Sequence, residues 1–266
     1  MSFLNDFNVL TTSQYGFQAN KSTELAVNAI INRIIKSFED KESAYSIFLD
    51  FAKAFDTVDH TILLSKLQYY GVRGTPLNLF QSYLTNRKQY TQVGNTLLTW
   101  NHIKYGVPQG SILGPILFLI YINDIVNTST KLKFFLFADD TTIFYSSKPS
   151  SLTHKTLNME LNKVKSWLGC NKLSLNIDKF CYLNFSLLPN TENVTPKIQN
   201  MVLTKKTVTK YLGVLIDDKL TWKDHVLHTN MKIRKGIGMI SKVKDLVTNS
   251  TLKTLYYSFI YPYLDY

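Results

Sequence analysis

Three aspartates in two apolar stretches are the residues best suited to metal-dependent chemistry. Asp50 ends a short apolar run, and Asp139 and Asp140 lie at the junction of two further strand candidates, 132–137 and 141–145. Adjacent carboxylates flanked by hydrophobic strands repel each other and cost stability unless a cation neutralises them. Carboxylate oxygens are hard ligands that suit Mg²⁺. The pattern predicts two Mg²⁺ ions about 4 Å apart, the arrangement that supports phosphoryl transfer.

Each of these aspartates also has a purely structural interpretation. An Asp-Asp pair at a hairpin tip is common turn chemistry, because Asp side chains hydrogen-bond to nearby backbone. Asp50 alone is compatible with a cap at the end of a strand. Clustered carboxylates are also what a two-metal nuclease needs, so the aspartates alone leave the class of protein open.

A turn rich in glycine and proline precedes the longest apolar stretch of the chain. It reads Gly-Val-Pro-Gln-Gly-Ser at positions 106–111, and the following residues predict an apolar helix from about Ile112 to Asp124. Glycines let a backbone approach a ligand closely, and a helix N-terminus offers free N–H donors. The turn therefore favours ligand chemistry over plain turn chemistry for the aspartates.

Hydrophobic spacing predicts the elements that position these motifs. Helices are expected at 23–38 (capped by Ser22 or Thr23), 60–70 (capped by Asp59), 76–85, 112–124, 152–168, 223–246 and 250–262. Strands are expected at 45–50, 132–137, 141–145, 180–186, 201–203 and 211–216, with a hairpin of 90–93 and 97–103 across Gly94-Asn95. The order predicts a mixed α+β domain with a largely antiparallel sheet, followed by a basic helical region.

Composition narrows the class of protein. Of 266 residues, 45% are hydrophobic, enough for one large domain or two small ones. The longest apolar run, 112–122, is shorter than the ~20 residues that cross a bilayer, and no secretion signal starts the chain. Cys170 and Cys181 lack metal-binding spacing. An intracellular chain without a membrane partner is expected.

The net charge of +11 is concentrated toward the C-terminus. Residues 1–100 carry 9 basic and 8 acidic side chains, whereas residues 201–266 carry 11 and 5. A polyanion is the natural partner of such a gradient, because each Lys or Arg placed on a phosphate releases a counterion. A solvated, lysine-rich surface is the alternative.

Taken together, the motifs resemble one known family. The runs LDFAKAFDTVDH, GVPQGSILGPILFLIYINDI and FADDT, in this order and spacing, resemble reverse transcriptases of retrotransposons without long terminal repeats, especially the jockey and CR1 types. Gln14-Tyr15-Gly16-Phe17 matches the start of that domain, residues 173–179 resemble its lysine motif, and residues 211–216 resemble its primer grip. The resemblance covers essentially the whole chain.

This resemblance implies an α+β polymerase fold. The expected fold is a right-hand palm with partial fingers, an antiparallel sheet packed on helices, and a basic, helical, thumb-like C-terminal region. Residues 1–200 would form the partial fingers and palm, and residues 201–266 the primer-grip strands and the start of the thumb. Within an intracellular localisation, the family points to the nucleus.

The resemblance also implies a role for each matching residue. Asp50 and Asp139 would be the main ligands of two Mg²⁺ ions (Mn²⁺ is an alternative), with Asp140 assisting. The Phe51 backbone carbonyl would join them.

Four further assignments follow for nucleotide and primer binding. Phe55 would lie under the incoming sugar and exclude a ribose 2′-hydroxyl, unless it is core packing. Gln109 would contact the nucleotide or the template base. Lys179 would act near the pyrophosphate as a general acid, or is simply solvated. Tyr211, Leu212 and Gly213 would form the primer grip. Asp56 and Asp59 are interpreted as structural, a turn and a cap.

The implied function is an RNA-directed DNA polymerase. Its partners would be an RNA template, a DNA primer and deoxynucleoside triphosphates, and its full-length element would carry an endonuclease domain that is missing here. The sequence departs from the family at Gln18, where an arginine is expected, and in lacking a fingers segment before residue 1. A fragment cut at both ends is therefore expected. The alternative function is a catalytically inactive, nucleic-acid-binding remnant.

Overall fold

The computed structural model describes residues 2–97, 99–150, 152–176, 180–186, 195–198 and 201–265. The chain divides into two compact units, which meet in sequence between Lys205 and Lys206. We refer to them as the first and second unit. The assignment of 1–200 to fingers and palm and of 201–266 to primer grip and thumb stays a prediction.

The described residues form helices and mostly short strands. The helices are α1 Ser2–Asp6, α2 Thr23–Glu39, α3 His60–Tyr69, α4 Thr75–Leu84, α5 Leu113–Ile122, α6 Thr153–Cys170, α7 Lys223–Val243, α8 Asn249–Phe259 and α9 Pro262–Asp265, with 3₁₀ turns at Ala54–Asp56 and Asn123–Thr128. The strands are β1 Ser43–Leu49, β2 Lys88–Gln89, β3 Gln92–Val93, β4 Thr96–Leu97, β5 Asn101–His102, β6 Lys133–Phe137, β7 Asp140–Ser147, β8 Cys181–Phe185, β9 Lys197–Ile198, β10 Met201–Val202, β11 Thr204–Lys205, β12 Val208–Tyr211 and β13 Val214–Asp217.

A five-stranded sheet forms the centre of the first unit, in the order β11-β8-β1-β7-β6. Strand β1 lies in the middle and pairs antiparallel with β7 on one side and β8 on the other. Only the short edge strand β11 runs parallel to its neighbour. The expected α+β fold with a largely antiparallel sheet is confirmed.

Alternation along β1 directs its side chains to two cores, because successive strand residues face opposite sides of a sheet. Tyr45, Ile47 and Leu49 are buried in the main core together with residues of α3, α5 and α6. The intervening Ala44 and Ser46 are fully buried on the other face, where α2 packs on β1, β6 and β7. The sheet is therefore covered on both faces, which makes its strand ends rigid.

Helix α5 is the most hydrophobic element of the first unit. Every side chain from Leu117 to Ile122 is buried, and only the first turn of the helix is partly exposed. Such a helix belongs inside a core. It starts at Leu113, one residue after the predicted start, and continues beyond Ile122 as a 3₁₀ turn.

In the second unit, the predicted strand at 211–216 is wrong. It is a hairpin of β12 and β13, in which Tyr211 pairs with Val214 across a turn at Leu212-Gly213. Both turn residues have positive φ, 45° and 96°. A two-residue turn of this kind favours glycine, and the sequence YLGV conceals it inside a continuous apolar run. The two predicted basic helices are present as α7 and α8.

None of the helices in the described parts of the chain is both long and apolar enough to cross a lipid bilayer.

Candidate active site

The Asp139-Asp140 motif lies at the tip of the β6–β7 hairpin. Phe137 pairs with Asp140, so Ala138 and Asp139 alone form the turn. Ala138 has φ of 55°, a left-handed conformation that costs energy in a residue with a Cβ. Asp139 is half-buried and Asp140 is exposed. The motif thus projects carboxylates from a strained two-residue turn.

Asp50 lies next to this turn, at the end of the neighbouring strand. The last pair of the β1–β7 ladder is Leu49 with Thr141. One step further along both strands are Asp50 and Asp140, and residues at opposing positions of antiparallel strands have Cβ atoms about 5 Å apart. Two of the three predicted carboxylates therefore end adjacent strands, and the third occupies the turn between β6 and β7.

The backbone at Asp50 is held from the other side by a segment far along the chain. The carbonyl of Asp50 accepts a hydrogen bond from Asn176 N at 2.8 Å, and Ala52 N donates to Ser174 O at 2.9 Å. Phe51 forms an antiparallel bridge with Leu175, and its side chain is buried. The predicted ligand residues Asp50 and Phe51 are thus fixed in position. Lys179 lies outside the described residues.

As they stand, the carboxylates do not form a ready-made metal cage. Among the described residues, no group of three or more His, Cys, Asp or Glu side chains is arranged to hold a metal ion. The donor chemistry nevertheless fits a hard divalent cation, because oxygen ligands stand on neighbouring, rigid strand ends. Since like charges at opposing positions repel, a bound cation would also draw these side chains together.

The glycine-rich turn is bound directly to the segment that follows Asp50. Gly106 N donates to Val58 O at 2.7 Å, and Val107 N donates to Phe55 O at 2.8 Å. A Cβ on Gly106 would lie 2.8 Å from Asp56 O, so only glycine allows this approach. The two predicted motifs therefore form one continuous surface.

This surface brings two of the predicted nucleotide-binding residues near each other. Gln109 Nε2 donates to Asp56 Oδ1 at 2.7 Å, and both residues are exposed. The Phe55 ring is half-buried and stacks on Phe118, with centroids 4.6 Å apart. Asp56 is therefore more than the plain turn residue that was expected, because it orients the amide of Gln109. Phe55 contacts the core on one side, and its role toward a sugar stays a prediction.

Asp59 caps α3 as predicted, but it also anchors a network that the sequence did not indicate. Its carboxylate accepts from the backbone N–H groups of Thr61 and Ile62 and forms a 2.7 Å ion pair with Lys172. Burial raises the pKa of Asp59, but the hydrogen bonds and charge of Lys172 outweigh this and hold it below its usual value. The pair links the start of α3 to the segment that clamps Asp50.

Gln14 is a second contributor that sequence reasoning missed. It is 1% exposed, and its Oε1 accepts from Gly16 N at 2.8 Å and from Ala138 N at 3.1 Å. Tyr15 N also donates to Leu136 O at 2.7 Å. The amide thus braces the strained turn that carries Asp139. The Gln-Tyr-Gly-Phe motif identified Gln14 as part of the start of the domain, but it did not predict the contact between Gln14 and Ala138.

The predicted primer-grip residues belong to the second unit. Tyr211 is buried, and Leu212 and Gly213 form the β12–β13 turn. The basic residues of the following region are all exposed, namely Lys219, Lys223, Lys232, Arg234, Lys235, Lys242 and Lys244. A charge run with every member in solvent suits phosphate contacts and a solvated face equally.

Asp217 organises the connection from β13 to α7. It is 6% exposed and accepts from the backbone N–H groups of Lys219, Thr221 and Trp222. Burial raises the pKa of Asp217, but these backbone hydrogen bonds outweigh it and hold the pKa below its usual value. The carboxylate therefore fixes the turn that leads into α7, whose first residue is Lys223.

Comparison with known proteins identifies the family. Residues 1–216 match the family described as reverse transcriptase (RNA-dependent DNA polymerase). The chain is 29% identical over 261 residues to the probable RNA-directed DNA polymerase from transposon BS of Drosophila melanogaster, covering 92% of this chain and 28% of that protein. It is 27% identical over 240 residues to the RNA-directed DNA polymerase from mobile element jockey of the same organism, covering 86% and 25%.

Solved structures support the same fold. The telomerase of Candida tropicalis truncated from its C-terminal domain aligns with a TM-score of 0.57 at 14% identity, over 82% of this chain and 43% of that one. A telomerase of Candida albicans aligns with a TM-score of 0.54. The chain therefore belongs to the reverse transcriptase family. It spans about a quarter of the length of the curated relatives it matches.

Proposed function

We propose that this chain is the polymerase part of a retrotransposon-derived reverse transcriptase, which adds deoxynucleotides to a DNA primer on an RNA template. One observation carries the proposal. The β1–β7 register ends with the pair Leu49 and Thr141, so Asp50 and Asp140 are the next residues along the two strands, at the end of the sheet where Asp139 forms the turn. Within a chain of this family, carboxylates on rigid strand ends are what phosphoryl transfer requires.

Asp50 and Asp139 would hold the divalent metal ions that the family uses, with Asp140 and the Phe51 carbonyl as further oxygen donors. Mg²⁺ is the ion we propose, with Mn²⁺ as the alternative. When bound, the ions lower the pKa of the primer 3′-hydroxyl and stabilise the leaving pyrophosphate. The chain itself contributes position, because Asp50 is clamped by residues 174–176 and the Asp139 turn is braced by Gln14.

Nucleotide selection would fall to the surface formed by the glycine-rich turn and the 3₁₀ turn at Ala54–Asp56. Gln109, oriented by Asp56, would contact the nucleotide or the template base, and Lys179 would act near the pyrophosphate. Phe55 would exclude a ribose 2′-hydroxyl, so Phe55→Ala should admit ribonucleotides in a primer-extension assay. Unchanged discrimination would reduce Phe55 to a packing partner of Phe118.

Binding of the primer–template duplex is proposed for residues 201–266, as the primer grip (Tyr211, Leu212, Gly213) and the start of a thumb. Residues 1–200 would be the partial fingers and palm. The seven exposed basic residues would then contact phosphates. Replacing Lys232, Arg234 and Lys235 by Ala should reduce the slope of log affinity against log salt by roughly 2 to 3 units for a duplex. An unchanged slope would assign the charges to a solvated face.

Primer extension tests the proposed activity directly. The chain is incubated with an RNA template annealed to a labelled DNA primer, all four deoxynucleotides, and Mg²⁺ or Mn²⁺. We expect extension that Asp50→Asn abolishes and that Asp40→Asn, the same change at an exposed helix end, leaves intact. Metal-dependent shortening of the strands instead of extension would indicate a nuclease.

A nucleic-acid-binding remnant without catalysis is the second candidate. It is favoured by Gln18, which stands where the family carries arginine and whose Nε2 donates to Gln14 O at 3.0 Å. Gln18→Arg tests it. If both the unchanged chain and Gln18→Arg bind the duplex but do not extend the primer, the chain is a binding remnant. That result would contradict the proposed polymerase activity.

A further inference from the structure

A long stretch of the first unit contains basic residues but no acidic ones. From His60 to Asn123 the sequence has no aspartate or glutamate, whereas it carries Lys66, which pairs with Asp124, and also Arg73, Arg87, Lys88 and Lys104. The hairpin between Lys88 and His102 lies in this stretch, and we call it, together with the flanking Arg87 and Lys104, the basic hairpin. A surface with uncompensated positive charge attracts polyanions.

The basic hairpin projects from the unit without cover on either face. Strand β2 pairs with β5, and β3 pairs with β4. All described residues at 88–97 and 99–102 are exposed. A two-stranded hairpin that buries so little is marginally stable by itself in water. A ligand that covered one face would therefore stabilise it.

Two large aromatic side chains stand on this hairpin. Trp100 is 61% exposed and Tyr90 is 45% exposed, and their rings contact each other with centroids 4.3 Å apart. Exposed aromatic rings cost free energy in water, but they offer faces on which nucleobases stack whatever their identity.

A cleft of about 780 Å³ connects the base of the hairpin to the glycine-rich turn. Its lining includes Arg87, Lys88, His102 and Lys104 together with residues 106–109. Asp56 is the one carboxylate in its lining, and that carboxylate already accepts a hydrogen bond from Gln109. The cleft therefore joins a positively charged wall to the predicted nucleotide contact.

We propose that the basic hairpin and this cleft bind an unpaired polynucleotide strand. Tyr90 and Trp100 stack on its bases, and Arg87, Lys88 and Lys104 contact its phosphates. The combination of stacking rings and a basic groove is how proteins hold single strands without reading their sequence. If the proposed function is right, this strand is the template that has not yet been copied. Binding itself does not depend on catalysis.

Stacking is tested by the affinity for a labelled oligouridylate of about 12 nucleotides, without deoxynucleotides. Changing Tyr90 and Trp100 together to Ala should weaken binding by at least roughly 5-fold, and up to about 100-fold. Tyr69→Ala is the control, because Tyr69 is 83% exposed in the same unit but is outside the cleft. Trp100→Phe should restore most of the affinity lost with Trp100→Ala, and the oligouridylate should quench the Trp100 fluorescence.

Charge is tested by the salt dependence of the same affinity. Changing Arg87, Lys88 and Lys104 to Ala should reduce the slope of log affinity against log salt by about 2 units, since each single-strand phosphate contact contributes about 0.7. The matched control changes Arg33, Lys36 and Lys41, three exposed basic residues in the same unit. It removes the same net charge and should leave the slope nearly unchanged.

Two results would overturn the proposal. One is an oligouridylate affinity that is insensitive to Tyr90 and Trp100 while thermal melting shows all variants folded. The other is an equal change of slope in the two charge variants, which would mean a nonspecific effect of net charge. A chain that extends primers yet shows either result refutes the hairpin site alone. A chain that binds through the hairpin but never extends a primer refutes the polymerase alone.

Discussion

Two hairpins of this protein contain a strained two-residue turn, and the turns are stabilised in different ways. The β6–β7 hairpin turns at Ala138-Asp139, and the β12–β13 hairpin turns at Leu212-Gly213. Both place a non-glycine residue at positive φ, 55° for Ala138 and 45° for Leu212. The second turn follows the strained residue with a glycine, whereas the first follows it with an aspartate.

The difference lies in where the support comes from. In the first turn, Ala138 N donates a hydrogen bond to a side chain 124 positions away, Gln14 Oε1, and Gly16 lies directly against this turn. The β12–β13 hairpin belongs to the second unit, and Asp217 at its end accepts from three backbone N–H groups within the next five residues. The strained turn that we propose as part of the active site is thus stabilised by remote contacts, as expected where function rather than local preference selects the residues.

The largest contrast should come from one chemical change made in both hairpins. Asp139→Asn should reduce primer extension by at least about a hundredfold, because even residues that only orient metal ligands cost that much. It should not destabilise the fold, since it removes a like-charge neighbour of Asp140. Asp217→Asn should do the reverse, lowering stability by removing a charged acceptor. Primer-extension rates measure the loss of activity, and chemical denaturation measures the loss of stability. If the two variants reduced extension equally, the proposed difference between the two hairpins would be wrong.

A second comparison replaces by alanine one glycine that contacts or forms each turn, Gly16 or Gly213. A Cβ on Gly16 would lie 2.5 Å from Ala138 N, so Gly16→Ala forces two backbone segments apart. We expect a loss of about 1–3 kcal/mol in the free energy of unfolding, with impaired extension. Gly213→Ala strains only its own turn, at about 1–2 kcal/mol. If Gly16→Ala left the free energy of unfolding in urea unchanged, the close contact between Gly16 and Ala138 would not contribute to stability.

Gln14→Leu sharpens the comparison, because it removes the brace without adding volume at the turn. It leaves the N–H groups of Gly16 and Ala138 without their acceptor, which costs about 1–3 kcal/mol. Hydrogen exchange should accelerate at Ala138 and remain unchanged across β12 and β13. Protection that stays the same at Ala138 would show that the Tyr15–Leu136 hydrogen bond holds the turn alone.

The smallest effect concerns pH. Because the folded pKa of Asp217 lies below its unfolded value, its contribution to stability is present above the unfolded pKa, near 3.8. That contribution is lost as the pH falls through the folded pKa. Acid unfolding monitored by Trp222 fluorescence should therefore differ between the chain and Asp217→Asn above pH ~4 and converge below it. Parallel curves at all pH values would contradict the lowered pKa.

Much of the fold was predictable because it depends on local patterns. Short apolar runs rich in strand-forming residues located β1, β6 and β7, and Ser22 and Asp59 start their helices as cap chemistry requires. The strand 211–216 was wrong for a related reason. Its residues are apolar throughout, and hydrophobicity alone does not reveal a reversal that depends on positive φ at two positions.

The sequence by itself determined that three aspartates lie at the ends of apolar strands, and it predicts that they carry the chemistry. Asp50, Asp139 and Asp140 follow from apolar runs and from motif order, both of which are local information. Only the tertiary structure decided their support: the register that sets Asp50 beside Asp140, the Gln14 amide on the Ala138 turn, the Lys172 ion pair with Asp59, and the bond from Gln109 to Asp56. These contacts join residues 53 to 124 positions apart. No local preference encodes such pairs, because they form only when the packed sheet and helices bring the segments together.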